Sequence, residues 1–185
     1  MQLNISHFHS PIGENTMIEY LIAFLAGLAV KATDWLEDER KSNHPIKFLF
    51  AIFYGLFLGY VISAASFSVL FLAALIAQVF AGKIDKKSHV LGFVVATVCL
   101  FAFGFPTIDL ILFGYFLIFA FLDEIEFVGK FEFISTYRPL LPLSALPFIL
   151  FGRIDYLVGI IVFDIGYYLS EPVANSFVKK KANKK

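Results

Sequence analysis

Cysteine and charge are both scarce in this sequence. The single cysteine, Cys99, lies within an apolar run, which excludes a disulfide framework and a clustered thiolate metal site. Only 16% of the residues are charged, whereas ordinary soluble domains have about 25%. With 59% hydrophobic residues and a mean hydropathy of +0.79, one soluble core of this size could not bury the apolar surface. The composition therefore predicts a membrane protein.

Signatures of several enzyme and targeting classes are also missing. The chain has no nucleophile-elbow glycines around a serine, no phosphate-binding glycine loop and no zinc-protease helix motif. Residues 1–16 are polar and lack the basic start and apolar core of a signal peptide. We therefore expect no cleavable signal, and the first apolar run should act as a retained signal anchor.

Seven apolar runs are present instead. They cover residues 17–36, 46–63, 65–82, 90–105, 107–122, 136–152 and 154–171. A span needs about 20 residues, with a working range of about 17 to 25. The runs are continuously apolar, which favours helices over the alternating strands of a barrel. The sequence therefore predicts an all-α integral membrane protein, a polytopic bundle of about seven transmembrane helices.

The basic residues give this bundle a predicted orientation. If the N-terminus is outside, thirteen of the fifteen fall in cytoplasmic loops and the C-terminal tail, and only Arg153 faces out. The positive-inside rule then predicts an N-out, C-in protein of the cell membrane. It divides the chain into an extracellular polar tail at 1–16, a helical bundle at 17–172 and a basic cytoplasmic tail at 173–185. The tail lysines suit anionic headgroups, so no nucleic-acid partner is expected.

Two of the predicted spans have unusual interiors. The sixth contains Pro139, Pro142 and Pro147, which remove backbone donors and should break the helix. Broken helices at membrane depth occur where protein or a water-filled cavity satisfies the backbone. The second contains Gly55 and Gly59 in the G-x-x-x-G spacing that allows close helix packing. This face could also support an oligomer.

Acidic residues follow the first predicted span. Lys31, Asp34 and Asp38 are spaced i, i+3 and i+7, so they should share one stripe of the helix. Two carboxylates at this spacing can share Mg²⁺, which retains positions for phosphate oxygens and water. Alternatively, this is an interfacial helix end whose charges are simply solvated.

A second acidic group follows the fifth span. Asp123 and Glu126 should lie on one helix face, where they could join Asp34 and Asp38 in a magnesium site. Lys31 and Arg138 could then contact phosphate. A solvated loop is the alternative interpretation of the second group.

Asp164 lies within the seventh apolar run, where a carboxylate facing lipid would cost several kcal/mol. Such residues usually face the bundle interior. Arg138 is one candidate partner, and Tyr167 or Tyr168 could donate a hydrogen bond instead. With Gln78 of the third span, Asp164 and Tyr167 form a candidate intramembrane polar site, although each could be purely structural.

The acidic end of the first span resembles the aspartate-rich motifs of UbiA-type intramembrane prenyltransferases. The resemblance covers Asp34, Asp38 and, more loosely, Asp123. It implies that helix-end aspartates hold Mg²⁺ and a prenyl diphosphate. The chain departs from that family in being shorter, in lacking the asparagine that precedes the first motif and in offering seven spans rather than nine.

Three functional hypotheses follow. The first is a magnesium-dependent enzyme, a transferase acting on a lipid phosphate or prenyl diphosphate at the cytoplasmic leaflet. The second is a transporter or channel for a small solute or ion, using Asp164 and the proline-broken sixth helix. The third is a non-catalytic assembly partner that docks through Gly55 and Gly59. Convergence of Asp34, Asp38 and Asp123 around one cytoplasmic-facing cavity would favour the enzyme, and transport would be favoured if the bundle interior around Asp164 is the only polar cavity.

Overall fold

Within the residues that the structure describes, the protein is a bundle of helices joined by loops. The computed structural model describes residues 14–38 and 45–182, with side chains for 16–37, 45–135 and 137–170. The α-helices are α1 (Glu14–Asp38), α2 (Ile46–Ala64), α3 (Ser68–Phe80), α4 (Lys87–Phe103), α5 (Leu110–Glu124), α6 (Glu132–Tyr137), α7 (Leu140–Ala145) and α8 (Asp155–Ala182). Two 3₁₀ segments, Gly129–Phe131 and Leu146–Phe151, precede α6 and follow α7.

The long helices alternate in direction between two ends of the bundle. At one end, the Ser66 amide donates to Glu19 of α1 (3.2 Å) and the Arg153 guanidinium donates to the Ser66 carbonyl (2.8 Å). At the other end, Glu37 of α1 accepts hydrogen bonds from Lys47 of α2 (3.0 Å) and Ser88 of α4. We call these the Arg153 end and the His89 end.

Two helices are long and apolar enough to cross a membrane, Thr16–Glu37 within α1 and Ile46–Ala64. A third span is possible if the bent pair Gly129–Ser135 and Leu140–Phe151 counts as one. Helices α3 and α4 are apolar but shorter. At about 1.5 Å per residue, the 13 residues of α3 extend roughly 20 Å, less than the roughly 30 Å of a hydrocarbon core. Seven spans are thus not confirmed and stay a prediction.

The predicted break in the sixth apolar run is confirmed. Helix α6 ends at Tyr137, and Arg138 adopts a left-handed conformation (φ 48°, ψ 51°) before α7 begins. Helix α7 gives way to a 3₁₀ segment at Leu146, where Pro147 lacks the amide that an α-helix needs. The apolar run is therefore divided among three short helical pieces, α6, α7 and the 3₁₀ segment, rather than forming one helix.

Close packing at Gly55 and Gly59 is also confirmed, within this chain. A Cβ atom on Gly55 would overlap the Gly92 carbonyl oxygen of α4, and one on Gly59 would overlap the Cys99 side chain. Both glycines are buried in this contact. The same face is therefore occupied by α4, and its geometry does not support the predicted role in docking a second chain or an assembly partner.

Helix α8 is longer than the predicted seventh span. It continues past residue 171 through most of the predicted basic tail and ends at Ala182. The apolar run marked only the apolar part of the helix, because polar residues with good helix propensity can extend a helix beyond an apolar segment.

Candidate functional site: two cavities at opposite ends of the bundle

A small cavity of about 120 Å³, lined by both apolar and charged side chains, lies at the His89 end. Its charged and titratable lining residues are Tyr54, Lys83, His89, Asp123, Glu124, Arg138 and Asp164. Gln78 and Pro142 also line it. A cavity of this volume has room for several water molecules or one small ion, but not for a lipid chain. We call it the His89 cavity.

Asp34 is held by two side chains from other helices. One carboxylate oxygen lies 3.3 Å from His89 Nε2, and the other accepts a hydrogen bond from the Tyr167 hydroxyl at 2.9 Å. Lys31, one turn earlier on α1, lies over the Tyr167 ring, with Nζ 4.8 Å from the ring centroid. Tyr167 therefore pairs with Asp34, and the suggested hydrogen bond from Tyr167 to Asp164 is wrong.

Asp123 caps the start of α7. Its two oxygens accept hydrogen bonds from the backbone amides of Leu140 (3.0 Å) and Leu141 (2.6 Å). A helix start has unpaired amides, so an acidic side chain is stabilising there. Burial raises the pKa of Asp123, and the two amides and Arg138 act against that rise. This helix start exists because the sixth apolar run is interrupted at its prolines.

Glu124 is buried beside the same cavity, and only one of its two carboxylate oxygens has a hydrogen-bond partner among the described residues. Its Oε1 atom lies 3.0 Å from the Arg138 guanidinium, and its Oε2 atom is buried with no hydrogen-bond partner among the described residues. The Glu124 side chain is 8% exposed and that of Arg138 is 45% exposed. Burial raises the pKa of Glu124, whereas the charges of Arg138 and Lys83 oppose the rise.

The predicted cluster of several carboxylates does not form among the described side chains. Helix α5 ends at Glu124 and Ile125 is extended, so the expectation that Glu126 shares a helix face with Asp123 is wrong. Glu126 is exposed and pairs with Lys83 at 3.0 Å. No group of three His, Cys, Asp or Glu residues suited to a metal is found in the described part of the chain. The Asp38 side chain lies outside it, so this geometry gives the predicted Mg²⁺ site no support.

The predicted intramembrane polar residues divide between two places. Asp164 and Gln78 line the His89 cavity, together with Pro142 of the broken segment. The charges of Asp123 and Arg138 both act on Asp164. Tyr167 pairs with Asp34, which does not line the cavity. The His89 cavity thus brings together Asp164 and the broken segment.

A second and larger cavity, of about 1030 Å³, lies at the Arg153 end. Arg153 forms three hydrogen bonds to Asp155, at 3.0, 3.3 and 2.9 Å, and its guanidinium lies 4.3 Å from the centroid of the Tyr156 ring. Asp109 accepts hydrogen bonds from the amides of Ile111 and Leu112 at the start of α5. The polar groups named here are thus engaged in fixing helix ends.

The two cavities are separated by about one helical turn. On α5, Tyr115 lines the Arg153 cavity and Ala120 lines the His89 cavity; on α8 the corresponding residues are Tyr156 and Ile160. Four or five residues correspond to roughly 6–8 Å along a helix.

Two buried aromatic rings contact residues that line the cavities. Phe67 and Phe116 are fully buried and line neither cavity. The Phe67 ring lies 5.5 Å from the ring of Phe71, and the Phe116 ring lies 5.1 Å from that of Tyr156. We call Phe67 and Phe116 the aromatic layer.

Sequence reasoning missed His89, Glu124 and the aromatic layer. His89 lies among lysines at the start of α4, where the residues resemble an ordinary solvated loop. Its proximity to Asp34 depends on the packing of α2 between α1 and α4. Phe67 and Phe116 are two of 24 phenylalanines, so composition alone could not single them out.

Comparisons with protein-family models, with curated proteins and with solved structures found no match to this chain. Its function must therefore be inferred from its own geometry.

Proposed function

We propose that the protein crosses the cell membrane about seven times, with the Arg153 end outside and the His89 end in the cytoplasm. The alternating helix directions support this threading, because each apolar segment leads to the opposite end. Lys47, Lys83 and Lys86 lie at the His89 end, as the positive-inside rule requires. The division into a polar tail at 1–16, a bundle at 17–172 and a basic tail at 173–185 belongs to the same proposal.

Cysteine labelling tests this topology. In a Cys99→Ser background, Thr107→Cys should react with a membrane-impermeant maleimide added to intact cells. Lys86→Cys and Lys130→Cys should react only in inside-out vesicles. Labelling of Lys86→Cys and Thr107→Cys from the same side would contradict the proposed threading.

We propose that the protein transports a small solute or ion between these two cavities. The observation that carries this proposal is the position of the two cavities, which open toward opposite ends and approach within about one helical turn. Transporter sites are commonly formed near the bilayer midplane beside discontinuous helices. Asp164 and the broken segment line one of the cavities. The aromatic layer would then be the closed part of the path.

Flux measurements test the transport proposal. Proteoliposomes should take up Na⁺ or K⁺ faster than empty liposomes. Phe116→Ala should increase that flux severalfold, because removing a fully buried ring opens the aromatic layer. The same change costs about 3–5 kcal/mol in a packed core, so folding must be verified by size-exclusion chromatography and thermal melting.

Phe101→Ala is the matched control, because the Phe101 side chain is 75% exposed on the bundle surface. It should leave the flux unchanged. Parent flux equal to that of empty liposomes for both ions and for protons would remove the transport proposal.

An enzyme acting on a lipid phosphate or prenyl diphosphate is the second candidate, supported by the pairing of Asp34 with His89. A carboxylate on one imidazole nitrogen orients the ring and stabilises its protonated form. His89 could then accept a proton from an attacking hydroxyl group, with Arg138 and Lys83 near the phosphate. This route uses no Mg²⁺, because Asp123 and Glu126 are engaged elsewhere and do not fit a metal site with Asp34.

The enzyme candidate predicts a large loss of turnover in His89→Ala. General acid–base groups contribute roughly 10²- to 10⁴-fold in rate, so turnover should fall by about that factor. The assay is release of phosphate from phosphatidic acid, or of diphosphate from farnesyl diphosphate, by the detergent-solubilised protein. Lys86→Ala, which alters an exposed side chain nearby, is the control. Equal turnover in the parent and His89→Ala would exclude this role.

A further inference from the structure

We propose that residues 128–137 lie along the cytoplasmic surface of the membrane, with their apolar side chains inserted among the lipid headgroups. We call this stretch the interfacial segment; it comprises Val128, the 3₁₀ turn Gly129–Phe131 and α6. Most of it lies between the fifth and sixth apolar runs, where the sequence predicts a cytoplasmic loop. This placement goes beyond the proposed transport and rests on the proposed membrane topology.

Four large side chains of the interfacial segment are exposed. Val128, Phe131, Phe133 and Tyr137 are each more than half exposed on the surface of the bundle. None of the described side chains from 126 to 138 is buried, so the bundle itself does not cover them. Contiguous exposed apolar surface usually marks a contact with another protein or with a membrane. We therefore expect these side chains to be covered by something outside the chain.

Both ends of the interfacial segment are held at the same end of α5. Asp123 accepts a hydrogen bond from the Leu140 amide at 3.0 Å, just after the segment. Glu124 pairs with Arg138, the residue that follows the segment, also at 3.0 Å. The chain between these contacts leaves the bundle and returns to the same point, so it cannot extend far from it. In the proposed topology, that point lies where α5 meets the cytoplasmic surface of the membrane.

The direction of the interfacial segment fits the membrane plane. Its helical part, Gly129–Ser135, is bent by 68° relative to Leu140–Phe151. In the proposed topology, Leu140–Phe151 runs into the bilayer. An element turned from it by this angle therefore runs closer to the membrane plane than to the membrane normal, and its exposed side chains can reach the lipid.

The residue types favour lipid over a protein partner. Phe131, Phe133 and Tyr137 are aromatic, and Lys130 and Glu132 stand between them and Val128. Aromatic residues are enriched at membrane–water interfaces, where apolar side chains enter the boundary of headgroups and acyl chains while charged ones stay in water. The core of a protein–protein interface is instead depleted of lysine and glutamate. Lipids of the cytoplasmic leaflet are thus the partner of this surface.

Spin labelling of the full-length protein in phosphatidylcholine proteoliposomes tests the placement. In a Cys99→Ser background, a nitroxide is attached to Val128→Cys or Phe133→Cys, and its collisions with O₂ and with water-soluble nickel ethylenediaminediacetate are compared. Oxygen concentrates in the bilayer and the nickel complex in water. The ratio of O₂ to nickel accessibility should exceed the ratio at Lys86→Cys, whose parent side chain is exposed in water, severalfold. A ratio equal to that at Lys86→Cys would overturn the proposal, and so would a label that neither reagent reaches, because a protein would then cover it.

A change of polarity provides the second test. With the label at Val128→Cys, replacing Phe131 and Phe133 together by glutamate should lower the accessibility ratio severalfold, because charged side chains leave the lipid boundary. Replacing both by leucine is the matched control and should keep the ratio. Because both parent side chains are more than half exposed, neither change opens a cavity in the bundle core. An unchanged ratio in the glutamate variant would refute the placement.

A label at Phe101→Cys separates failure of this placement from failure of the topology. The Phe101 side chain is exposed on the side of the bundle, so its label should report lipid. Lipid at Phe101 with water at Val128 and Phe133 would keep the membrane location and remove the interfacial segment. Water at all three positions would remove both.

Discussion

Replacing Asp164 by asparagine is expected to reduce flux through reconstituted protein by about tenfold or more. The change removes one of the three carboxylates of the His89 cavity but keeps the shape of the side chain. A contact to a charged group contributes about 1.5–3 kcal/mol, which corresponds to roughly ten- to hundredfold in an equilibrium constant. The initial rate of Na⁺ or K⁺ uptake in proteoliposomes measures the effect.

Asp85→Asn provides a matched control for this experiment. Asp85 lines neither cavity, and its carboxylate side chain is 62% exposed beside Lys86. This variant should retain most of the parental flux. Equal rates for the parent and Asp164→Asn would show that Asp164 is only a structural acid and would leave the transport proposal without its central residue.

Replacing Gly27 by alanine is expected to destabilise the bundle. A Cβ atom at Gly27 would overlap the backbone carbonyl oxygen of Phe163 on α8, which cannot rotate away as a side chain would. Overpacking of this kind costs about 1–3 kcal/mol or more, and each kcal/mol lowers Tm by about 2–4 °C in a chain of this size. Separation of α1 from α8 should also lengthen the hydrogen bond from Tyr167 to Asp34.

The matched control is Gly114→Ala in α5. A Cβ atom at Gly114 would meet nothing within 4 Å, so only the intrinsic helix preference of alanine remains. This variant should be neutral or should gain up to about 1 kcal/mol. A Gly27→Ala protein that melts at or above the temperature of Gly114→Ala would show that α1 and α8 are less closely packed than described.

The helical segments could be predicted because apolar runs and proline act locally. The sixth run is broken at Pro139 and at Pro147 as expected, whereas Pro142 lies in the first turn of α7, where a missing amide is tolerated. Gly55 and Gly59 likewise marked a close helix contact, although its partner, α4, could not be named from spacing.

The magnesium hypothesis required knowing which acidic residues lie together in the fold, and the spacing of residues in the sequence does not determine this. Counting acids near helix ends placed Asp34, Asp123 and Glu126 in one group, but each acquired a different partner. Asp34 pairs with His89 and Tyr167, Asp123 caps α7, and Glu126 leaves the helix and pairs with Lys83. These partners come from segments distant in sequence.

By itself the sequence determined three properties: that the chain forms apolar helices, the position at which the sixth is broken, and which loops carry lysine. Those properties depend on residue type and near neighbours. Only the tertiary structure decided that Asp164, Glu124 and Arg138 share a cavity, that Asp34 holds His89 instead, and that a second cavity lies at the other end of the bundle. The reason is that the rotation and pairing of helices are set by packing between residues far apart in the chain, and many sequences with the same apolar pattern could pack differently.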